Sequence, residues 1–350
     1  MVSREPKFDK KKALETISRG RRTRWWQRTG TPKRGFVYTT WDGKKLSRPD
    51  DLDRVGNLVI PPAWTYVRIN PSRGGKIQAV GMDTMGRVQY LYHSTHTERQ
   101  QRKKFAKIEG LGEFIPGLNK ALKKHLELEG LPREKVLAVV LRLINLLYFR
   151  VGTAHSEQNY KTYGITTLQK KHLNLGPKGR IEFNFVGKSH VFQRKVLVDD
   201  TLASILRELS SLGRGRKLFR YLDEAGRPHP ILPAQINRYF KELTGPQFSA
   251  KDLRTWGGTL LAAIRLAETG PVETEVARKK NIVAAIKKVA EELGNTPAVC
   301  RGSYIHPVVI KAYEAGVILE KCPGRNIRRS QNGFELEAKA LIQLFQFKKS

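Results

Sequence analysis

Pro132-Arg133-Glu134-Lys135-Val136-Leu137-Ala138-Val139-Val140-Leu141-Arg142-Leu143-Ile144-Asn145-Leu146-Leu147-Tyr148-Phe149-Arg150-Val151-Gly152 is the stretch on which the fold turns. Apolar residues fall on nearly every side of a helix drawn from Pro132 to Phe149, which predicts an element buried all round at the centre of a large core. It is not a membrane span. Arg142 and Asn145 interrupt the apolar run from Leu137 to Phe149, and a span needs about 20 apolar residues.

Downstream of this helix, Arg180 to Val198 alternates as Ile181, Phe183, Phe185, a Gly187-Lys188 turn, then Val191, Arg194 and Val196. That is the pattern of a β-hairpin. From Thr201 onward the periodicity is helical, with breaks at Pro230 to Pro233, Gly245-Pro246, Gly270-Pro271 and Asn295-Thr296-Pro297. Upstream, Gly35 to His93 holds short runs rich in Val, Ile, Tyr and Trp between turn signals such as Asp42-Gly43 and Gly74-Gly75. A small antiparallel sheet is expected there, with strands over Phe36 to Trp41, Val67 to Ile69, Ile77 to Asp83 and Val88 to Tyr92, and a helix from Glu98.

At 350 residues the chain exceeds what one core usually serves, so two domains are expected. The predicted class is α+β: a basic arm over 1–34, partly disordered, a small β-rich domain over 35–105, and a larger, mainly helical domain over 106–350. The arm rests on charge, since twelve basic residues stand there against three acidic ones.

The charge of the whole chain points to a partner. Lys and Arg number 65 against 32 Asp and Glu, a net charge of +33, and a polyanion is the default inference for such a surface. No apolar N-terminal stretch resembles a secretory signal, and no membrane partner is expected; the location expected is cytoplasmic, at the nucleoid. Cys300 and Cys322 form no CxxC pair, so both are read as reduced thiols rather than a disulfide or zinc site.

Nucleotide, zinc-protease and serine-hydrolase motifs are missing: there is no GxxxxGK[ST], HExxH or GxSxG. Asp199-Asp200 and Glu291-Glu292 are sequence neighbours, whose side chains point to different faces, and the eight His are scattered. No metal and no cofactor are expected.

What remains is a set of basic residues in unusual places. Arg150 emerges from the end of the buried helix beside Gly152, whose missing side chain would let a ligand approach. Lys188 sits at the hairpin tip. Arg254, in Lys251-Asp252-Leu253-Arg254-Thr255-Trp256-Gly257, faces the apolar side of a helix capped by Ser249 or Asp252, and a buried Arg needs an anionic partner. Leu293-Gly294-Asn295-Thr296-Pro297 starts a short helix with Thr296 as N-cap and Pro297 at its first position, and a turn at Gly302 would then present Tyr304.

Together these residues resemble the type IB DNA topoisomerases, in particular the small bacterial and poxvirus-type enzymes. Ile60-Pro61-Pro62-Ala63-Trp64, Ile77 to Asp83, Gly86 to His93 and Tyr163-Gly164-Ile165-Thr166-Thr167-Leu168 add to the likeness. The resemblance implies a β-rich clamp on double-stranded DNA and a catalytic domain of the topoisomerase and tyrosine recombinase kind, acting as a monomer. It implies Tyr304 as nucleophile, Arg150 and Arg254 as anion binders, Lys188 as general acid, and Asn295 where poxvirus and eukaryotic members carry His. Gln89, Tyr90 and Tyr92 match a DNA-contacting Gln-Tyr-x-Tyr element of the small enzymes. Two other readings stay open at this point: a tyrosine recombinase, against which Lys251-Asp252-Leu253-Arg254 stands in place of HxxR, and a non-enzymatic basic architectural protein.

Overall fold

The computed structural model describes residues 9–319 and 335–346. The chain divides into two compact units between Lys103 and Lys104. Cys322 lies outside the described residues, and Cys300 is a buried free thiol.

The first unit is built on a five-stranded antiparallel sheet. In chain order it contains α1 (Lys10–Ile17), β1 (Trp26–Thr31), β2 (Gly35–Thr39), α2 (Pro49–Asn57), β3 (Thr65–Ile69), β4 (Ile77–Met82) and β5 (Val88–Tyr92), with the strands in the order β2-β1-β3-β4-β5. Each face carries its own core. Trp26, Val55, Ile60, Val67, Ile69 and Ala79 form one, while Ala13 and Ile17 of α1 pack on Val80 and Met82 to form the other. This explains why β4 is buried over most of its length instead of alternating.

The basic arm expected over 1–34 is therefore corrected, because Lys10–Ile17 is a helix and Trp26–Thr31 pairs with both β2 and β3. Charge misled because Arg28 points inward. Its guanidinium donates to the carbonyls of Ile60, Pro61 and Trp64 at 3.1, 3.0 and 2.8 Å and lies over the Phe36 ring. Burial lowers its pKa from the usual guanidinium value. The Ile60-Pro61-Pro62-Ala63-Trp64 motif thus serves as a receptor for a strand arginine, satisfying carbonyls that prolines and a tight bend leave without ladder partners.

α3 (Ser94–Leu126) begins four residues before the expected Glu98 and runs past the boundary between the units, with Pro116 in its interior. The second unit continues with α4 (Arg133–Leu147), α5 (Ala154–Tyr160), the three-stranded sheet β6 (Leu173–Leu175), β7 (Arg180–Val186) and β8 (Phe192–Val198), and α6 (Asp200–Ser211). After the short pair β9 (Arg220–Leu222) and β10 (Pro228–Pro230) come α7 (Pro233–Thr244), α8 (Ala250–Thr269), α9 (Glu275–Leu293), α10 (Pro297–Ser303), α11 (Pro307–Glu314) and α12 (Glu335–Gln346).

α4 is the buried centre that its sequence predicts. Every residue from Lys135 to Leu147 is buried, and the helix packs on α7 and α8. Burying one such aliphatic side chain contributes about 1.5–3 kcal/mol, so Leu143→Ala, at a fully enclosed position, costs about 2–5 kcal/mol. The hairpin also forms as predicted, but with the other face of β8 inward. Gln193, Lys195 and Leu197 oppose Phe185, Phe183 and Ile181 on the buried side, whereas Val191 and Arg194 are exposed. Lys195 thus stands on the core side of its strand, opposite Phe183.

Candidate active site

α4 ends where Tyr148 takes a left-handed conformation, φ 57°, and donates its N–H to the Ile144 carbonyl at 2.9 Å. The chain then leaves the core, and Arg150 is the first residue whose side chain is only partly buried. Its backbone is held by the Tyr163-to-Leu168 segment: Ile165 N–H donates to Arg150 O at 2.8 Å and Thr166 N–H to Val151 O at 2.9 Å. Gly152, φ +83°, is required here. A Cβ on it would lie 2.8 Å from Gly164 Cα, so its missing side chain admits the Gly164 backbone and not, as the sequence suggested, a ligand.

Arg254 projects from the first turns of α8. Ser249 and Asp252 form the capping box, with the Asp252 carboxylate accepting from Ser249 N–H and hydroxyl at 2.8 Å each and from Lys107 Nζ at 2.5 Å. That carboxylate is therefore occupied, and among the described residues none pairs with Arg254. Its guanidinium, 4% exposed, donates instead to the Leu293 carbonyl at 2.9 Å.

The Asn295 and Tyr304 segment is organised by α10. Thr296 caps it by accepting Val299 N–H at 3.4 Å, and Pro297 opens it, as its sequence predicts. Gly302 lies inside this helix and makes no turn; the chain leaves at Tyr304, whose N–H donates to Cys300 O at 2.9 Å. Tyr304 O accepts from Thr259 Oγ1 at 3.2 Å, and Thr259 Oγ1 accepts His306 N–H at 3.1 Å. Close packing of α8 fixes these parts. A Cβ on Gly257 would lie 2.1 Å from the Tyr148 ring, and one on Gly258 would lie 2.7 Å from Tyr304 O. Sequence reasoning missed both glycines and Thr259, although paired glycines inside a helix, each costing about 1 kcal/mol there, were a signal of close approach.

Four of the expected residues thus converge. Arg150 Nη2 donates to the Asn295 side-chain oxygen and, at 2.9 Å, to the Gly294 carbonyl. The Arg254 guanidinium carbon lies 5.5 Å from the Tyr304 ring centre. Burial, then the neighbouring Arg150 charge, pushes Arg254 down to about 10, while Tyr304 pulls the other way. Burial also lowers Arg150, and it pushes the adjacent Cys300 thiol up. Two donors, Arg254 Nε and Asn295 Nδ2, are buried with no hydrogen-bond partner among the described residues. Such groups cost about 1–3 kcal/mol each when left unpaired.

Lys188 is exposed at the hairpin tip, where Ser189 and His190 both have positive φ, 62° and 59°. His190 anchors the tip through Nε2 and the Tyr160 carbonyl, 3.0 Å apart. With Arg150, Asn295 and Thr296, Lys188 lines a cleft of about 500 Å³. The structure therefore brings it to the same cleft but into no ion pair among the described residues.

Gln89, Tyr90 and Tyr92 lie on β5 in the first unit, and alternation separates them. Tyr90 packs on the α1 face, under Arg22 at 5.3 Å and beside the exposed Tyr92 ring at 6.1 Å. Gln89 faces the other way and donates Nε2 to Asp83 Oδ2 at 2.9 Å. A period of two thus places Tyr90 and Tyr92 together on one face of β5 and Gln89 on the other.

Against this geometry stand the known proteins. A family model described as the eukaryotic DNA topoisomerase I catalytic core matches residues 93–319, and one for the N-terminal domain of bacterial DNA topoisomerase IB matches residues 35–83. The chain belongs to the type IB DNA topoisomerases. DNA topoisomerase 1B of Acanthamoeba polyphaga mimivirus is 32% identical over 286 residues, spanning 80% of this chain and 84% of that protein. DNA topoisomerase 1B of vaccinia virus (strain Copenhagen) is 23% identical over 235 residues, 66% of this chain and 71% of the relative. A structure of the XerH site-specific recombinase bound to palindromic difH substrate aligns at a TM-score of 0.34 with 16% identity, over 55% of this chain and 47% of the other. A type IB topoisomerase is an enzyme that binds DNA, and the +33 net charge accords with that partner. Among the described residues no helix is long and apolar enough to cross a membrane.

Proposed function

We propose that this topoisomerase relaxes supercoiled duplex DNA by transesterification, without ATP or a metal ion, through a 3′-phosphotyrosyl intermediate. Tyr304 Oη bonds to phosphorus as the bond to the 5′-oxygen breaks; the phenolic proton passes to water, and Lys188 protonates the departing 5′-oxygen. The nicked strand rotates, and the 5′-hydroxyl then attacks the phosphotyrosine to restore the diester. No nucleotide is consumed because the ester bond energy stays in the protein–DNA link.

The observation that carries this reading is the pair of guanidiniums beside Tyr304. Arg150 and Arg254 are desolvated and bonded to backbone and amide oxygens, with no carboxylate to neutralise them among the described residues. Buried uncompensated charge calls for an anion. A phosphodiester in its transition state spreads charge over its non-bridging oxygens, which guanidiniums bind in bidentate fashion. Asn295 donates its amide N–H to one such oxygen but has no titratable proton, so in this chain that position has no acid–base part.

All five residues come from one chain, which supports action as a monomer. Supercoiled plasmid incubated in EDTA without ATP tests the proposal: wild type relaxes it and Tyr304→Phe does not. Relaxation that survives Tyr304→Phe, or that requires ATP or a divalent ion, refutes it.

A further inference from the structure

α9 ends in a set of carbonyls whose partners can be accounted for one by one. Gly294 adopts a left-handed conformation, φ 59° and ψ 52°, and the cap closes on the penultimate turn: Asn295 N–H donates to Ala290 O at 3.0 Å and Gly294 N–H to Glu291 O at 3.2 Å. The next three carbonyls, at Glu292, Leu293 and Gly294, lie beyond the reach of the helix ladder. Each accepts from a different cation. Lys195 Nζ donates to Glu292 O, Arg254 Nη2 to Leu293 O and Arg150 Nη2 to Gly294 O. The negative end of the α9 dipole favours all three charges.

Three elements therefore meet at one helix end: β8 through Lys195, α8 through Arg254 and the segment after α4 through Arg150. β8 is also one arm of the hairpin whose tip carries Lys188. Lys195 is 7% exposed and stands on the inward face of that strand, opposite Phe183. Two positions away, the Gln193 amide lies so close to Gly294 that a Cβ there would fall 2.6 Å from it. The hairpin is thus seated on the same turn of backbone that holds the two guanidiniums.

We propose that Lys195 is a positioning residue for the cleavage reaction: by holding the Glu292 carbonyl, it locks the Lys188 hairpin and the α9 end that orients Arg254 and Arg150 into one frame. The inference rests on the function proposed above. Lys195 touches neither the DNA nor the reacting atoms in this account; it acts through the α9 carbonyls.

The test is single-turnover cleavage of a suicide duplex, whose short leaving strand dissociates, by wild type, Lys195→Met and Lys195→Arg. Methionine keeps length and volume without charge, and arginine restores the cation. Lys195→Met lowers the cleavage rate constant about ten- to hundredfold, the scale on which small misplacement of reacting groups acts. Its DNA affinity and reaction amplitude stay within about twofold of wild type, and Lys195→Arg recovers most of the rate. A merely structural lysine would give the opposite split, since a misfolded fraction lowers the amplitude and leaves the rate constant of the folded fraction alone. An unchanged rate for Lys195→Met, a loss confined to amplitude or affinity, or an arginine variant as slow as the methionine one overturns the inference. A wild type that forms no covalent adduct overturns the functional reading and this inference with it, so the two failures are told apart by the wild-type lane.

Discussion

The Arg254 guanidinium carbon sits 5.5 Å from the centre of the Tyr304 ring, although half a hundred residues separate them in the chain. α8 delivers the arginine and the turn after α10 delivers the tyrosine. Gly258 lets the two backbones touch, and a fixed positive charge is thereby stationed beside the proposed nucleophile. The following expectations derive from this arrangement.

Gly258→Ala disturbs the contact from the backbone side. Its Cβ would stand 2.7 Å from Tyr304 O, so the Tyr304 turn must shift. Overpacking of this kind costs about 1–3 kcal/mol of stability, and displacement of a reacting group costs about 10²-fold in rate. Denaturant unfolding and single-turnover cleavage, measured on the same preparation, should both register the change. Cleavage at the wild-type rate would show that the close approach does not position the tyrosine.

Lys188→Ala should slow cleavage of ordinary DNA by about 10²–10⁴, the usual contribution of a general acid. Replacing the leaving 5′-oxygen by sulfur removes most of the need for protonation, so the variant should then approach the wild-type rate. Persistence of the full defect on the sulfur-containing strand would remove Lys188 from the acid's role.

Lys104 supplies a pH-dependent stability. Its ammonium donates to Ser303 O at 2.7 Å, immediately before Tyr304, and burial, with the Lys251 charge second, pushes it down to about 8. Between that value and the ordinary lysine value of 10.5 the unfolded chain binds more protons than the folded one. Stability from this group therefore rises with pH across the window. Urea midpoints at about pH 7.5 and about pH 10 should show a rise in wild type that is smaller in Lys104→Met; equal slopes would contradict the assignment.

DNA affinity should fall by roughly 10³ between about 50 and about 200 mM salt if about six phosphates are neutralised. Equilibrium binding to a short duplex over that range measures the slope. A flat profile would mean that the net charge of +33 is not the source of binding.

Much of the site was legible because its signals are local. The Thr296-Pro297 cap, the Ser249 and Asp252 box and the mostly apolar α4 each declare a helix boundary within a few residues, and Arg150, Arg254, Asn295 and Tyr304 are tied to those boundaries. Long-range partners were not legible. Arg28 reads as a solvated charge until the carbonyls of Ile60, Pro61 and Trp64 are brought to it, and with it went the whole of β1. Lys195 carries no local signal, and its place is set by the Glu292 carbonyl that α9 delivers. Gly152 was assigned to a ligand because Gly164, its actual neighbour, comes from a later segment. In each case a charge or a missing side chain is explained by backbone far away in sequence, which no local period records.

The central claim is that Tyr304 becomes covalently joined to a DNA 3′ end, and trapping that adduct measures it most directly. A duplex labelled at either end of the cleaved strand is mixed with the protein in EDTA and stopped with denaturant, and the labelled peptide is then mapped. The account predicts that label upstream of the cut stays on the protein at Tyr304, while the downstream fragment is released with a free 5′-hydroxyl. Label carried from the downstream side, attachment at another residue, or no adduct at all would contradict it.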